Sequence, residues 1–549
     1  MQAACLEIAS GVRFPVFSYL PGAGRDCGVF AIAARLVGGK AAILAIDMKR
    51  FLLLSLFPFL APFSQAAECN IIFIVSDDQS PTLGCYGDPV ACSPAVDSLA
   101  ADGTLFHRAY ATTASCSASR SVIMSGLHNH FNGQFGHQHN YHKFSSFHNV
   151  ISLSLPRALS RAGYRTAQIG KYHIAPEEVY RFDTYLSGNA RNGVQMANAA
   201  KDFITQQSDQ PFFLYFATSD PHRGGGNDQT FPGKHKPNLF GNKPDKRAHD
   251  GIDELFFDPR KVPVPPYLPD TIESRSELAH YYQSCARVDQ GVGRLIEILK
   301  EADLYDKTMI VFTADHGMAF AGAKTTVFEA GLHVPFVVRD PYQKNRGVES
   351  NALISHADIT PSLLDFAQAL DRGNNRPKDF QEANEYWKDK DYVAKDNRGH
   401  RPFVTYHGES WVPILGDPNG KHHKIMFASH TFHEITMYYP MRAVWDGKYK
   451  LIWNIAFGLP YPFASDLWAS STWQAQLKKG DDALYGFLKV GSYVNRPAFE
   501  LYNVTKNRYE NINLAGNPEY ANILESMKRK LKAFQHATDD PWISKWEYE

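Results

Sequence analysis

Ile71-Ile72-Phe73-Ile74-Val75 runs straight into Ser76-Asp77-Asp78. Five consecutive apolar residues leave no polar face, so this run suits a strand covered on both sides. The pattern recurs three times. Tyr164 to Ile169 leads into Gly170-Lys171-Tyr172-His173. Phe212-Phe213-Leu214-Tyr215-Phe216 leads to Asp220-Pro221-His222-Arg223, and Met309-Ile310-Val311-Phe312 leads into Asp315-His316-Gly317. Helical patterns lie between the runs. Pro94 to Ala101 has Pro at its start and Gly103 just past its end. Glu277 to Ala302 carries Leu278, Tyr281, Tyr282, Cys285, Val288, Val292, Leu295, Ile296 and Leu299 at helical spacing. Alternating strands and helices predict an α/β fold, a large and mainly parallel sheet sandwiched by helices. Ligands of such sheets bind at the carboxyl ends of the strands. One Asp at a strand end is an ordinary cap or turn residue; four polar clusters on one edge predict a site.

A smaller unit follows the main one. Met441 to Trp445, then Asp446-Gly447, then Lys448 to Trp453 reads as a β-hairpin, because Asp-Gly favours the tight turn. Ile523, Leu524, Met527, Leu531 and Phe534 mark a closing amphipathic helix. The expected division is a catalytic domain over 68–438 and a C-terminal α+β subdomain over 439–549, built on an antiparallel sheet and that helix. The polar, charged stretch 370–400 reads as a surface excursion.

The 549 residues carry 57 basic and 57 acidic groups, so there is no global positive field to gather nucleic acid. From Met48 the chain reads Met-Lys-Arg, then an apolar stretch Phe51 to Phe63, then Ser64-Gln65-Ala66. A basic, an apolar and a small-residue segment in that order make a secretory signal peptide over 48–67. The apolar part, broken by Pro58 and Pro62, is too short for a comfortable membrane span. Residues 1–47 then read as a spurious upstream extension. Export places the protein in the periplasm or outside the cell of a bacterium, or in the lysosome of a eukaryote. Cys69, Cys85, Cys92, Cys116 and Cys285 follow the signal, an odd number that leaves one thiol unpaired. Pairing of Cys85 with Cys92 stays open. Asn503-Val504-Thr505 is a glycosylation sequon, with meaning only on a eukaryotic secretory route.

Asp77, Asp78, Asp315 and His316 come from two strand ends far apart in sequence. Three carboxylates near one point repel unless a cation neutralises them. Oxygen donors favour calcium, or less so magnesium, over zinc. Ser115-Cys116-Ser117-Ala118-Ser119-Arg120-Ser121 opens a short apolar helix, Val122-Ile123-Met124. Free N–H groups at a helix start receive an anion and lower a thiol's pKa. Alone, each of these features is equally a helix cap, a satisfied histidine or a buried structural cysteine.

Cys116-Ser117-Ala118-Ser119-Arg120 resembles the signature Cys-x-Pro/Ala-x-Arg of the sulfatases, a family of the alkaline phosphatase-like superfamily. Asp77-Asp78, Gly170-Lys171-Tyr172-His173, Asp220-Pro221-His222 and Asp315-His316-Gly317 fall in that family's order, and the resemblance spans roughly 68–549. It implies conversion of Cys116 to formylglycine by a maturase. It further implies calcium on Asp77, Asp78, residue 116, Asp315 and His316, and catalytic roles for Arg120, Lys171, His173, His222 and Lys324. Asp220, Glu434 and Asp540 are implied as contacts to the sugar. His433 to Arg442, Gly136-His137-Gln138 and Asp540-Pro541-Trp542 resemble more narrowly the branch that removes sulfate from the amino group of glucosamine in heparan sulfate. A sulfated saccharide is then the substrate, and a homodimer stays open. Ala118 replaces the more usual proline, His316 an asparagine of that branch, and Lys324 an arginine, a change that loses the bidentate fork. Rival readings are an O-sulfatase on another glycan, a phosphoesterase or phosphonate hydrolase of the superfamily, and a non-catalytic glycan-binding homologue.

Overall fold

The computed structural model describes residues 5–8, 12–15, 69–224, 226, 237–379 and 405–548. The chain clusters into two units, Met1–Gln65 and Ala66–Glu549. In the first, Cys5–Ile8 pairs antiparallel with Val12–Pro15. The expected signal peptide at 48–67 lies outside the described residues.

The second unit is built on an eight-stranded sheet. Its strands are β1 (Asn70–Ser76), β2 (Thr104–Tyr110), β3 (Arg165–Gly170), β4 (Thr184–Leu186), β5 (Phe212–Ala217), β6 (Thr308–Ala314), β7 (Phe336–Arg339) and β8 (Val348–Ser355). They lie in the order β8-β2-β7-β6-β1-β5-β3-β4. The four apolar runs of the sequence are therefore neighbours in the middle, β6-β1-β5-β3, all parallel. Every residue of β1, β5 and β6 is buried.

Strand alternation sends successive side chains to opposite faces, and both faces are covered. Ile71, Phe73 and Val75 pack with Ile123 and Met124 of α2 (Cys116–Ser125) and with Ile359, Leu363 and Leu364 of the helix Ile359–Phe366. Ile72 and Ile74 pack with Val96 and Leu99 of α1 (Pro94–Ala101), Met196 and Ala197 of α3 (Gly193–Thr205), and Val292 and Leu295 of α4 (Ile272–Glu301). Gly193 and Gly291 are where α3 and α4 touch: a Cβ on Gly291 would stand 2.6 Å from the Gly193 Cα.

Only β7 runs against the rest, antiparallel to both β6 and β2. The chain leaves β6 at the carboxyl edge, turns through 315–335 and re-enters the sheet beside its own exit strand. That return keeps Lys324 at the edge that carries Asp315.

The smaller sheet has the order β9 (Met426–His430), β10 (Met441–Trp445), β11 (Tyr449–Asn454), β12 (Phe499–Asn503), all antiparallel. The Asp446-Gly447 turn joins β10 to β11, with Gly447 in the left-handed region at φ +87°. The sheet opens at Met426, ahead of the division expected at 439. One face carries the closing helix Ala521–Ala537, whose Met527 and Leu531 pack on Val444, Leu451 and Leu501. The other meets Tyr110, Ala114, Val327 and Leu332 of the main sheet's loops. In the expected surface excursion, Leu370–Asp371 pairs with Arg376–Pro377, and 380–404 lies outside the described residues. Among the described residues, no helix is long and apolar enough to cross a membrane. Cys85 and Cys92 are free thiols, so the pairing left open by the sequence is not made.

Leu531 is fully buried between the closing helix and the small sheet. Leu531→Ala is expected to lower unfolding stability by about 2–5 kcal/mol, the usual cost of such a cavity. Urea unfolding followed by circular dichroism measures it; a loss below about 0.5 kcal/mol, the scale of surface substitutions, would contradict this packing.

Candidate active site

Three strand ends and one helix start converge at the carboxyl edge. β1 delivers Asp77 and Asp78, β6 delivers Asp315 and His316, β3 delivers Lys171, and α2 begins at Cys116. Pairing of Ala314 with Ser76 holds the two acidic strand ends level. The backbone N–H groups of Asp78 and His316 both donate to Asp315 Oδ1, at 2.9 Å each.

Arg120 lies one turn into α2 and has no exposure. Its Nε donates to Asp315 Oδ2 at 3.1 Å, its Nη2 to Asp77 Oδ1 at 3.1 Å and its Nη1 to the Tyr215 hydroxyl at 3.0 Å. Lys171 Nζ lies 2.5 Å from Asp77 Oδ2. Asp77 is thus enclosed by two cations. Burial works against its charge, but Lys171 with His222 and Arg120 outweighs that and holds its carboxyl well below the usual range.

Asp78, Cys116, Asp315 and His316 form a separate group whose ligand atoms lie within 4.8 Å of one another, all buried. Cys116 Sγ stands 3.3 Å from His316 Nε2 and 3.7 Å from Asp78 Oδ1. Burial opposes ionisation of the thiol, but Lys171, Lys324 and His316 prevail and place it well below its ordinary pKa. Burial, then the charge on Asp77, pushes Asp315 up to about 7. Burial opposes a charge on His316, yet Asp315 and Asp78 raise it to about 10. A carboxyl driven toward its neutral form beside a second carboxylate marks negative charge in excess of its partners. Two carboxylates with an imidazole fit a divalent cation, and the oxygen donors favour a hard one. Asp77, expected as a ligand, lies beside this group, with Arg120 and Lys171 on its oxygens.

Lys324 is fully buried and donates to Asp78 Oδ2 at 2.9 Å, to His222 Nε2 at 3.0 Å and to Asp466 Oδ2 at 2.9 Å. An ammonium only donates, so His222 Nε2 accepts and the ring proton sits on Nδ1, facing the Arg223 carbonyl at 2.5 Å. His173 stands in a row of imidazoles. His137 Nδ1 is 3.1 Å from His173 Nε2, His137 Nε2 is 2.8 Å from His433 Nε2, and His433 Nδ1 is 3.0 Å from the Ser115 hydroxyl beside Cys116. Burial keeps the His137, His173 and His433 rings below the ordinary histidine pKa, with the neighbouring cations adding to it.

Two expected sugar contacts are placed otherwise. Asp220 is buried, with Oδ1 on Arg191 at 2.8 Å and Oδ2 on Arg287 at 2.7 Å. Asp540 has no exposure and takes Arg442 at 2.6 and 2.9 Å. Arg287 and Arg442 are buried, and Arg191 is partly exposed. Glu434 is partly exposed at the rim, its Oε1 accepting from the Ser465 N–H and hydroxyl at 3.2 and 2.5 Å. His137, His433 and Asp466 belong to the site but were not expected in it. The two histidines sit in segments that carried the narrower resemblance; Asp466 lies in the single helical turn Ser465–Trp468, with no sequence pattern to mark it.

The family model that describes the sulfatases matches residues 69–369. The human N-sulphoglucosamine sulphohydrolase is 33% identical over 499 residues, covering 87% of this chain and 92% of its own. Among solved structures, BT4656, titled as a complex with its substrate D-glucosamine-2-N,6-O-disulfate, matches with a TM-score of 0.55 at 20% identity, over 86% of this chain and 98% of its own. The phosphonate monoester hydrolase of Agrobacterium radiobacter matches with a TM-score of 0.55 at 18% identity, over 86% and 94%. At those identities the two structures speak for the fold. The family model and the human relative, together with a signature cysteine at the start of α2 facing a carboxylate–imidazole cluster, make this chain a member of the sulfatase family.

Proposed function

We propose that the protein hydrolyses the N-sulfate of glucosamine in a heparan-type glycan, with residue 116 as formylglycine and calcium on Asp77, Asp78, Asp315, His316 and residue 116. The observation that carries this reading is the meeting of Cys116 with that carboxylate–imidazole group, inside a ring of lysines. The identity to the human N-sulphoglucosamine sulphohydrolase supports the choice of substrate.

A sulfamate is anionic, so its approach to a nucleophile needs positive charge around sulfur. Lys171 and Lys324 both border residue 116 and supply that field. Arg120 holds the Asp77 and Asp315 carboxylates in place and fixes the first turn of α2. Calcium, when bound, polarises the sulfate oxygens and lowers the pKa of a bound hydroxyl; the modification at residue 116 supplies that hydroxyl as part of a hydrated aldehyde. The departing nitrogen needs a proton, and the Lys324–His222 contact at 3.0 Å holds one at its side of the site. His173, uncharged in its row, is suited to take up the proton whose loss frees the sulfate. Glu434 at the rim is placed for a sugar hydroxyl or amine. The basic, apolar and small-residue order of 48–67 supports export.

Mass spectrometry of the peptide containing Cys116, from enzyme that turns over N-sulfoglucosamine, is expected to find an aldehyde. An unmodified thiol in active enzyme would sink the mechanism. Cys116→Ala is expected to abolish turnover of sulfamate and aryl sulfate alike, and aryl phosphate turnover above both would favour a phosphoesterase. Chelation with EDTA should remove activity and calcium should restore it better than magnesium; activity indifferent to EDTA contradicts the cation's role. Glu434→Ala should lower kcat/KM for N-sulfoglucosamine by about tenfold, the scale of one charged hydrogen bond, and leave aryl sulfate nearly unchanged. Equal losses on both substrates would remove its sugar role.

A further inference from the structure

Asp466 reaches the site from Ser465–Trp468, well beyond the residues matched by the sulfatase model. Its backbone is anchored on both sides: Ala464 and Leu467 are buried against Ala319 and Met437. Its Oδ1 accepts its neighbour's N–H, from Leu467 at 2.9 Å, and its Oδ2 takes Lys324 at 2.9 Å. Lys324 has three N–H donors and three acceptors at near-equal distance, Asp78 Oδ2, His222 Nε2 and Asp466 Oδ2. These acceptors surround a single nitrogen, which a compact ammonium satisfies and a planar guanidinium fork does not. The third acceptor thus accounts for lysine at this position.

We propose that Asp466 is a positioning residue for proton delivery to the leaving group: by holding one corner of the Lys324 ammonium it fixes the Lys324–His222 contact, whose shared proton passes to the departing nitrogen as the S–N bond breaks and that bond's electron pair stays on nitrogen. This rests on the role given to that contact above. It makes a distinction that damage to the fold would not make. A sugar amine leaves only with a proton, whereas 4-nitrophenolate leaves without one. Loss of Asp466 loosens the Lys324 charge for both kinds of substrate, and therefore slows the first kind far more than the second.

The experiment is steady-state kinetics of the full-length, matured enzyme and of Asp466→Asn, Lys324→Met and the double variant, on N-sulfoglucosamine and on 4-nitrophenyl sulfate. Asp466→Asn is expected to lower kcat on N-sulfoglucosamine by about tenfold to a hundredfold, within the range of general acid catalysis, with KM little changed. On 4-nitrophenyl sulfate the loss should stay below about threefold, and in the Lys324→Met background the second substitution should add almost nothing. Asp466→Glu, which keeps the charge, serves if the asparagine variant is poorly folded; its smaller loss should show the same dependence on leaving group. Equal losses on the two substrates, losses that multiply in the double variant, or no loss at all would overturn the proposal. Wild-type enzyme inactive on both substrates would instead overturn the sulfatase reading of the site on which it rests.

Discussion

A guanidinium with no exposure, Arg120, ties the two acidic strand ends to the helix that carries Cys116. Without such a cation, Asp77 and Asp315 could not share the carboxyl edge of β1 and β6: two desolvated carboxylates at close quarters cost several kcal/mol or take up protons. Even with Arg120 in place, Asp315 is driven to about 7 by burial and by Asp77. The lysines and the cation-ready group lie against these same buried carboxylates.

The same economy extends into the second half of the chain. His433 precedes β10 and reaches the row of imidazoles; Asp466 reaches Lys324; Arg442 of β10 crosses to Asp540 beyond the closing helix. The small sheet packs on loops that follow the main sheet's strands. It thus completes the site's walls, and its folding and the site's geometry are coupled through shared side chains.

Much of this was legible in the residues. Three uninterrupted apolar runs and the mixed run Tyr164 to Ile169 suited strands buried on both faces, and they became the four adjacent central strands. Asp-Gly between two alternating runs marked the β10–β11 turn. Cys116 and Arg120 of the signature, with the strand-end acids Asp77, Asp78 and Asp315, lie together at one edge of the sheet. What failed to read was pairing at a distance. Nothing near Asp220 reveals that Arg287, from the middle of α4, will claim one of its oxygens. Asp540 looked like a sugar contact because its partner, Arg442, lies almost a hundred positions earlier, in a strand whose buried face no local pattern distinguishes. His137 sits on a loop and Asp466 in a single helical turn, both too short for a helical or strand period to single out one side chain from the next.

The reversed strand β7 has a mechanical consequence. The segment 315–335 leaves the sheet in β6 and returns in the strand hydrogen-bonded to it, so both of its ends are stitched to one rigid pair. Gly317 N–H bonds the Gly331 carbonyl and tightens the neck further. A segment tethered in this way behaves as a buckle and not as a flap. The places of Asp315 and Lys324 are thus both referred to one pair of neighbouring strands.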